Sequence, residues 1–301
     1  MGPIRQVGER PADARRRAKQ DYECVHPQKV RRLLELPMVS NMPEWRLLDV
    51  GCGYHYPQVA LFEGKVGLIC GVDIEQVFFR DGWLRTVVQR SREHGLLRGA
   101  KRGTQTYLYY VEYYRHLRRL AGIEEGRHSH YALSSYDGGR FPYPDGSFDV
   151  VTSNAVLEHV LNLEGFVSEC HRVLAPGGCV DMWWHNFYCP SGSHLPRQVR
   201  ERSPWGHVTG DVVVKMKDLN RKKPKEIEEA FGRQFRIVRL FRSDAMHRQF
   251  GDPGFTSEAA ERLDHDWRDR LDDLPDDLLT TTGYVIQAQK SPPVTGALHD
   301  D

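Results

Sequence analysis

The sequence has no apolar run long enough to cross a bilayer, no Cys-x-x-Cys pair and almost no net charge. The missing apolar run argues against a transmembrane helix, and residues 1–5 lead into charged sequence rather than into the core of a signal peptide. The net charge of +1 disfavours general electrostatic binding to nucleic acid, which needs a strongly basic surface. We therefore expect a soluble, cytoplasmic protein that has no membrane partner and does not act on nucleic acid.

We predict that the six cysteines are unpaired thiols of the protein core. Cys52, Cys70 and Cys179 fall within segments that we expect to be buried, which is typical of proteins in a reducing compartment. A chain of 301 residues with 40% hydrophobic content can bury a complete core. We expect one α/β domain over residues 21–290 between a flexible N-terminal segment (1–20) and a flexible tail (291–301).

A glycine turn follows the first predicted strand. Residues 45–50 form a short apolar run that ends at Gly51-Cys52-Gly53, as expected of a buried parallel strand that ends in a tight turn beside a ligand. A second run ends at Asp73, at the distance where an acidic residue holds ribose hydroxyls. Tyr56 occupies the place where a dinucleotide site needs its third glycine. The pattern predicts an adenosine-bearing cofactor without a pyrophosphate.

Strands and helices alternate over the rest of the chain. We predict strands near 131–133, at 147–154 and at 179–184, with helices at 155–161 and 163–174. Two further strands, 235–241 and 284–289, follow near the end of the chain. Such alternation builds a doubly wound sheet with helices on both faces.

Five segments together resemble the class I S-adenosylmethionine-dependent methyltransferase superfamily. They are residues 48–53 (LDVGCG), 71–74 (GVDI), 141–149 (FPYPDGSFD), 156–160 (VLEHV) and 174–178 (LAPGG). The resemblance implies a Rossmann-like, mostly parallel sheet with an antiparallel last strand and S-adenosyl-L-methionine as the cofactor.

The family assigns roles to the residues at these strand ends. The glycine turn receives the methionine end of the cofactor, Asp73 holds the ribose, and Asp137 with the Gly138 backbone faces adenine. The residues expected at the cofactor are Asp49, Gly51, Cys52, Gly53, His55, Asp73, Ile74, Tyr136, Asp137, Gly138 and Asn154. His55 replaces the usual third motif glycine; histidine tolerates the left-handed backbone region, but its ring could also narrow the pocket.

Two additions to the core are expected to select the acceptor. The first is a helical cap at about 96–127, in which Tyr110 and Tyr114 are candidate substrate contacts. Residues 80–127 carry eleven basic and five acidic side chains, so this region is either a solvated basic face or an attractor of anionic substrates. The second is a loop at about 185–215, where Trp205 is a further candidate contact.

Four histidines are candidates for the catalytic base or for orienting the acceptor: His185, His159, His194 and His207. His185 is expected to be the better base, because it stands just after a strand end, where a side chain can point into the crevice. Glu158-His159 also resembles the divalent-ion motif of ubiquinone-pathway and small-RNA ribose O-methyltransferases. Those enzymes carry a further glutamate where this chain has Ala155, so a hard cation would lack an oxygen ligand. We expect no metal.

The predicted activity is methyl transfer to a hydroxyl of a small-molecule or sugar-containing acceptor, either glycosylated or anionic. Weaker similarity to uncharacterised methyltransferases of natural-product and glycan pathways favours such an acceptor. N-methylation, C-methylation, a metal-dependent ribose O-methyltransferase and a non-catalytic cofactor-binding protein remain open, and His55 is the main support for the last. The sequence does not indicate an oligomeric state.

Overall fold

The computed structural model describes residues 11–38, 40–123, 131–214, 219–243, 261 and 263–291. Its strands are β1 (Arg46–Val50), β2 (Leu68–Asp73), β3 (Tyr131–Ser135), β4 (Phe148–Asn154), β5 (Leu174–His185), β6 (Arg236–Arg242) and β7 (Gly283–Gln289). They form one seven-stranded sheet in the order β3-β2-β1-β4-β5-β7-β6.

Strands β1 to β5 are parallel, and β7 runs antiparallel to both β5 and β6. This arrangement is the Rossmann-like methyltransferase sheet, so the predicted fold class is confirmed. The chain winds outward in both directions from β1 and β4, which are direct neighbours. Ligands of such sheets bind outside the carboxyl ends of the strands at this switch point.

Ten helices cover the sheet in the described part of the chain. They are α1 (Pro11–Gln20), α2 (His26–Leu34), α3 (Pro57–Phe62), α4 (Gly82–His94), α5 (Leu96–Ala121), α6 (Leu163–Val173), α7 (Arg197–Arg202), α8 (Gly206–Thr209), α9 (Pro224–Gly232) and α10 (Asp276–Thr280). A π-helical turn, Asp21–Val25, joins α1 to α2. No helix within the described residues is both long and apolar enough to cross a membrane.

The two faces of the sheet form two cores because successive side chains of a strand point in opposite directions. Leu48 and Val50 of β1 pack with α6 and α9, whereas Leu47 packs with the N-terminal helices, α3 and α5. All three side chains are completely buried. The short apolar run before the glycine turn is therefore a central strand covered on both sides.

The prediction that residues 1–20 are flexible is wrong for residues 11–20. Residues Pro11–Gln20 form α1, which packs against α5. Ala14 and Ala18 are completely buried, and their four-residue spacing places them on one helix face. Residues 1–10, 244–260, 262 and 292–301 lie outside the described part of the chain.

The cap is a helical hairpin of α4 and α5. A Cβ atom at Gly99 would lie 2.2 Å from the carbonyl oxygen of Arg90, and one at Gly103 would lie 2.7 Å from the Cα of Val87. The two glycines therefore let the helices approach at backbone contact. The prediction of a helix within 96–127 is met over Leu96–Ala121, and residues 124–127 lie outside the described part of the chain.

The helix predicted at 155–161 is wrong. Ala155 has a positive φ of 56°, and only one 3-10 turn, Leu157–His159, follows β4. The backbone hydrogen bond from the Ala155 N–H to the carbonyl of Trp183, at 2.9 Å, holds this bend against β5. The segment is therefore a tight loop at the sheet edge, which points its side chains differently from a helix.

Two buried ion pairs fasten α2 to the sheet. The Lys29 ammonium lies 2.5 Å from Oδ1 of Asp49 in β1, and neither side chain is more than 6% exposed. The Arg32 guanidinium donates to Oδ2 of Asp181 in β5 at 3.0 Å. Gln287 of β7 donates to the same carboxylate at 2.7 Å, so the acidic groups inside this face are paired.

We predict that Lys29→Met destabilises the protein strongly. The substitution leaves the Asp49 carboxylate buried without its cation, which costs about 3–5 kcal/mol in comparable pairs. Urea unfolding followed by circular dichroism measures the change. Lys222→Met is the matched control because Lys222 pairs with Glu226 at the surface, with side-chain exposures of 41% and 44%. Equal unfolding midpoints for the two variants would contradict a structural role for the buried pair.

Candidate active site

The glycine turn after β1 adopts the conformation that the sequence predicts. Gly51 and Gly53 have φ values of 69° and 75°. A Cβ atom at Gly51 would lie 2.2 Å from Cγ2 of Val156, so only glycine fits there. A Cβ atom at Gly53 would meet nothing closer than the His55 ring, at 3.8 Å. The backbone at Gly53 is therefore open to an incoming ligand.

Asp73 ties the glycine turn to the end of β2. Its Oδ2 accepts a hydrogen bond from the Gly53 N–H at 2.7 Å, and its Oδ1 accepts from the Glu75 N–H at 3.0 Å. Burial raises the pKa of Asp73, while these two amides act in the opposite direction. Each carboxylate oxygen has a second lone pair that can accept from a ligand hydroxyl. The sequence predicted the ribose contact but not this tether.

The predicted adenine end lies beside β2 and β3. Ile74 directly follows Asp73 and is 37% exposed, which leaves an apolar surface next to the carboxylate. Asp137 is exposed, and its Oδ1 accepts from the Gly139 N–H at 2.9 Å. Gly138 lies between them with a φ of 90°. Burial and the charge of Asp73 raise the pKa of Tyr136 to about 12, so its phenol stays protonated.

Two of the predicted cofactor contacts have partners within the protein, and a third is buried. Asp49 pairs with Lys29, and Oδ1 of Asn154 accepts from Arg32 at 3.0 Å. The Cys52 thiol is buried, and burial raises its pKa. Sequence reasoning missed both cations, because a lysine and an arginine three residues apart usually mark the exposed side of a helix. Only their position among the apolar residues of α2 could have signalled burial.

His55 packs against the cap. Its ring stacks on Tyr110 with centroids 4.6 Å apart, and the Tyr114 hydroxyl donates to the His55 carbonyl. Burial lowers the pKa of His55 to about 3, and the nearby Arg17 charge acts in the same direction. A neutral ring therefore replaces the missing third glycine, and α5 supports the turn from outside.

The predicted acceptor contacts Tyr110, Tyr114 and Trp205 are wrong in this structure because their side chains are at most 4% exposed. The two tyrosines pack among the rings that brace the glycine turn, and Tyr114 stacks on Phe79 at 5.0 Å. The Trp205 indole N–H donates to the carbonyl of Leu279 at 3.2 Å inside a separate small core. Aromatic content alone could not distinguish a recognition surface from a core.

Three of the four candidate histidines meet beyond the ends of β4 and β5. Nδ1 of His185 lies 3.0 Å from Nε2 of His194, and the His194 ring packs edge-to-face on His159 at 5.2 Å. His207 is different: its Nε2 donates to the carbonyl of Phe187 at 2.8 Å, and burial lowers its pKa to about 4. His207 therefore braces the loop and is not a catalytic candidate.

A family model described as "Methyltransferase domain" matches residues 95–180. The match includes β3, β4 and the first half of β5, whereas the glycine turn and Asp73 precede it. One curated relative, named a probable S-adenosylmethionine-dependent methyltransferase of Mycolicibacterium smegmatis, is 57% identical over 37 residues. That stretch is 12% of this chain and 14% of the relative, so the chain spans only a small part of the relative's length.

Solved structures of low identity align over most of the chain. A chain from the complex of the Haloferax volcanii Trm112 methyltransferase activator with a methyltransferase is 17% identical with a TM-score of 0.48, covering 94% of this chain and 96% of that one. Phosphoethanolamine N-methyltransferase 2 of Haemonchus contortus is 15% identical with a TM-score of 0.48, covering 88% and 52%. These values say nothing about the substrate of this chain.

The domain match includes β4, which the sheet order places directly beside β1 and its glycine turn. The fold, the matched domain and the turn thus agree with one another. They confirm the resemblance of this chain to the class I S-adenosylmethionine-dependent methyltransferase superfamily.

Proposed function

We propose that the protein is an S-adenosylmethionine-dependent methyltransferase that acts on a hydroxyl of a small-molecule or sugar-containing acceptor. The tether between Asp73 and the Gly53 amide is the observation that carries the proposal. It fixes a carboxylate beside an open glycine backbone, with apolar Ile74 next to it. A nucleoside with a charged amino-acid end matches these three neighbouring surfaces: the polar backbone at Gly53, the Asp73 carboxylate and the apolar Ile74.

The residues fit the cofactor from one end to the other. The open space at Gly53 lets the methionine end of the cofactor approach the backbone of the glycine turn. Asp73 accepts from ribose hydroxyls, and Ile74 packs against the base while Asp137 accepts from its amino group. The bound cofactor supplies a methyl group on a sulfonium, which is an excellent leaving group.

The acceptor side lies at the ends of β4 and β5, where His194 is the least buried member of the Glu158, His185 and His194 group. The cofactor held by the glycine turn and Asp73 would supply the methyl group that the acceptor oxygen receives. The hydroxyl proton passes to His194, which His185 holds through the 3.0 Å contact. Transfer to oxygen is favoured over nitrogen because the site offers a base, which a neutral hydroxyl needs.

Asp73→Ala is expected to weaken S-adenosylmethionine binding at least tenfold. The change removes charge-assisted hydrogen bonds of roughly 1.5–3 kcal/mol each and frees the Gly53 amide. Isothermal titration calorimetry measures the affinity. Asp145→Ala is the control because its carboxylate is 76% exposed and pairs with Arg172. Unchanged affinity in Asp73→Ala would show that Asp73 does not bind the ribose. Tight NAD binding by the native protein would contradict the assignment of the protein as an S-adenosylmethionine-dependent methyltransferase.

His55→Gly tests the alternative of a non-catalytic protein with an obstructed pocket. Restoring the family glycine should tighten cofactor binding if the ring fills the site. We expect weaker binding instead, because the variant loses the stack on Tyr110 that holds the turn. Competition binding with S-adenosylhomocysteine measures the difference. Tighter binding in the variant would favour the obstructed pocket.

Turnover should depend on the acceptor hydroxyl and on His194. We expect native protein to release S-adenosylhomocysteine with polyhydroxylated acceptors and not with their amino analogues. His194→Gly should lower kcat about a hundredfold or more, as loss of a general base does, and glycine keeps the positive φ of 54° at this position. His116→Asn on the outer cap helix is the matched control. Equal kcat values for His194→Gly and His116→Asn would contradict a general base at His194. Positioning of the acceptor beside the cofactor would then be the mechanism.

A further inference from the structure

Three potential ligand atoms converge beside the acceptor side of the site. Glu158, His185 and His194 each offer one carboxylate oxygen or ring nitrogen, and these atoms lie within 4.8 Å of one another. It is the one group of three such residues in the described part of the chain. Glu158 lies in the 3-10 turn after β4, His185 ends β5, and His194 lies in the loop that follows.

Glu158 lacks a partner that matches its chemistry. The residue is 4% exposed, and neither carboxylate oxygen reaches a hydrogen-bond partner at bonding geometry within the described structure. A buried carboxylate without a hydrogen-bond donor or a cation is costly, and a bound cation would remove that cost.

His185 is oriented as a metal ligand would be. Its Nε2 lies 2.8 Å from the Ser191 hydroxyl, and its Nδ1 lies 3.0 Å from Nε2 of His194. Ligating histidines commonly donate their other ring N–H to an oxygen, which fixes the ring and the tautomer. Two imidazole nitrogens on a tetrahedral zinc lie roughly 3.3 Å apart, given bond lengths of about 2.0–2.1 Å. The observed separation needs little adjustment to receive an ion.

The loop holds His194 in this position at a cost in backbone energy. His194 has a φ of 54°, and the Ala155 backbone beside Glu158 has a φ of 56°. Non-glycine residues in the left-handed region are strained, and such strain collects at ligand sites. The backbone hydrogen bond from the His194 N–H to the Ser191 carbonyl, at 3.1 Å, closes the turn that carries the ring.

We propose that Glu158, His185 and His194 bind one divalent transition-metal ion of the zinc type. Two imidazoles and one carboxylate suit zinc, iron or nickel, whereas magnesium prefers oxygen ligands throughout. The absence of a glutamate at Ala155 therefore argues against a hard cation but not against this ion. The expectation of a metal-free site considered oxygen ligands around Glu158 and His159, and it did not foresee that His185 and His194 meet Glu158.

Three protein ligands leave a fourth position for an exchangeable group, as in catalytic zinc sites. This part of the inference rests on the proposed function: the fourth position would receive the acceptor hydroxyl. With the ion bound, the His194 nitrogen that faces His185 would be a ligand, so the ion rather than that nitrogen would make the acceptor hydroxyl easier to ionise. The ligand set itself does not depend on the reaction.

Metal binding to the full-length protein tests the site without any acceptor. After removal of metals with a chelator, zinc titration followed by calorimetry should give one equivalent with a dissociation constant below about 1 µM. Glu158→Gln and His194→Gly should each weaken zinc binding at least tenfold, since even outer partners of ligands contribute 10–100-fold. Cobalt substituted for zinc should give visible absorption bands that both variants lose.

His116→Asn is again the control and should bind zinc as the native protein does. Glu158→Gln keeps the size of the side chain, so it remains informative even if a histidine variant fails to fold. Less than a tenth of an equivalent of zinc in the native protein, or zinc affinity in both ligand variants equal to that of the native protein, would overturn the site. Calorimetry with S-adenosylmethionine on the same samples distinguishes loss of the metal site from failure of the proposed function.

Discussion

The buried cations of α2 set the geometry on which the crevice depends. Lys29 meets Asp49 in β1 and Arg32 meets Asp181 in β5, and Arg32 also donates to Asn154 at the end of β4. One helix thus holds three strands whose carboxyl ends carry the glycine turn, the bend with Glu158, and His185. Charge pairing in a dry interior demands close geometry, so it fixes these strands relative to one another more sharply than apolar packing alone.

The cap acts on the cofactor side through its core rather than through its surface. Tyr110 and Tyr114 of α5 contact His55 and Phe79, and Tyr113 donates to buried Asp21 at 2.7 Å. The insertion between β2 and β3 therefore stiffens the turn that family members build with a third glycine. Packing by this long insertion thus takes the place of the third motif glycine, although the insertion needs many more residues.

Much of the fold was readable from the sequence because buried parallel strands and glycine turns leave strong local patterns. Residues 45–53 and Asp73 are examples: a short apolar run, two glycines and one carboxylate at a fixed distance. The errors concern side chains whose surroundings are set by distant segments. Tyr110 and Trp205 looked like recognition residues, and Lys29 attracted no expectation at all, because burial by another element leaves no local signal. The positive φ of Ala155 was likewise hidden, since alanine favours helices.

The contact between Gly51 and Val156 joins the two halves of the crevice mechanically. The turn passes so close to Val156 that even one methyl group at Gly51 would overlap its Cγ2. Val156 precedes Glu158 by two residues, in the bend held by Ala155. The turn and the bend therefore lie in van der Waals contact, and neither can move toward the other without steric overlap. A larger side chain at Gly51 would consequently displace the bend that carries Glu158, as well as the turn itself.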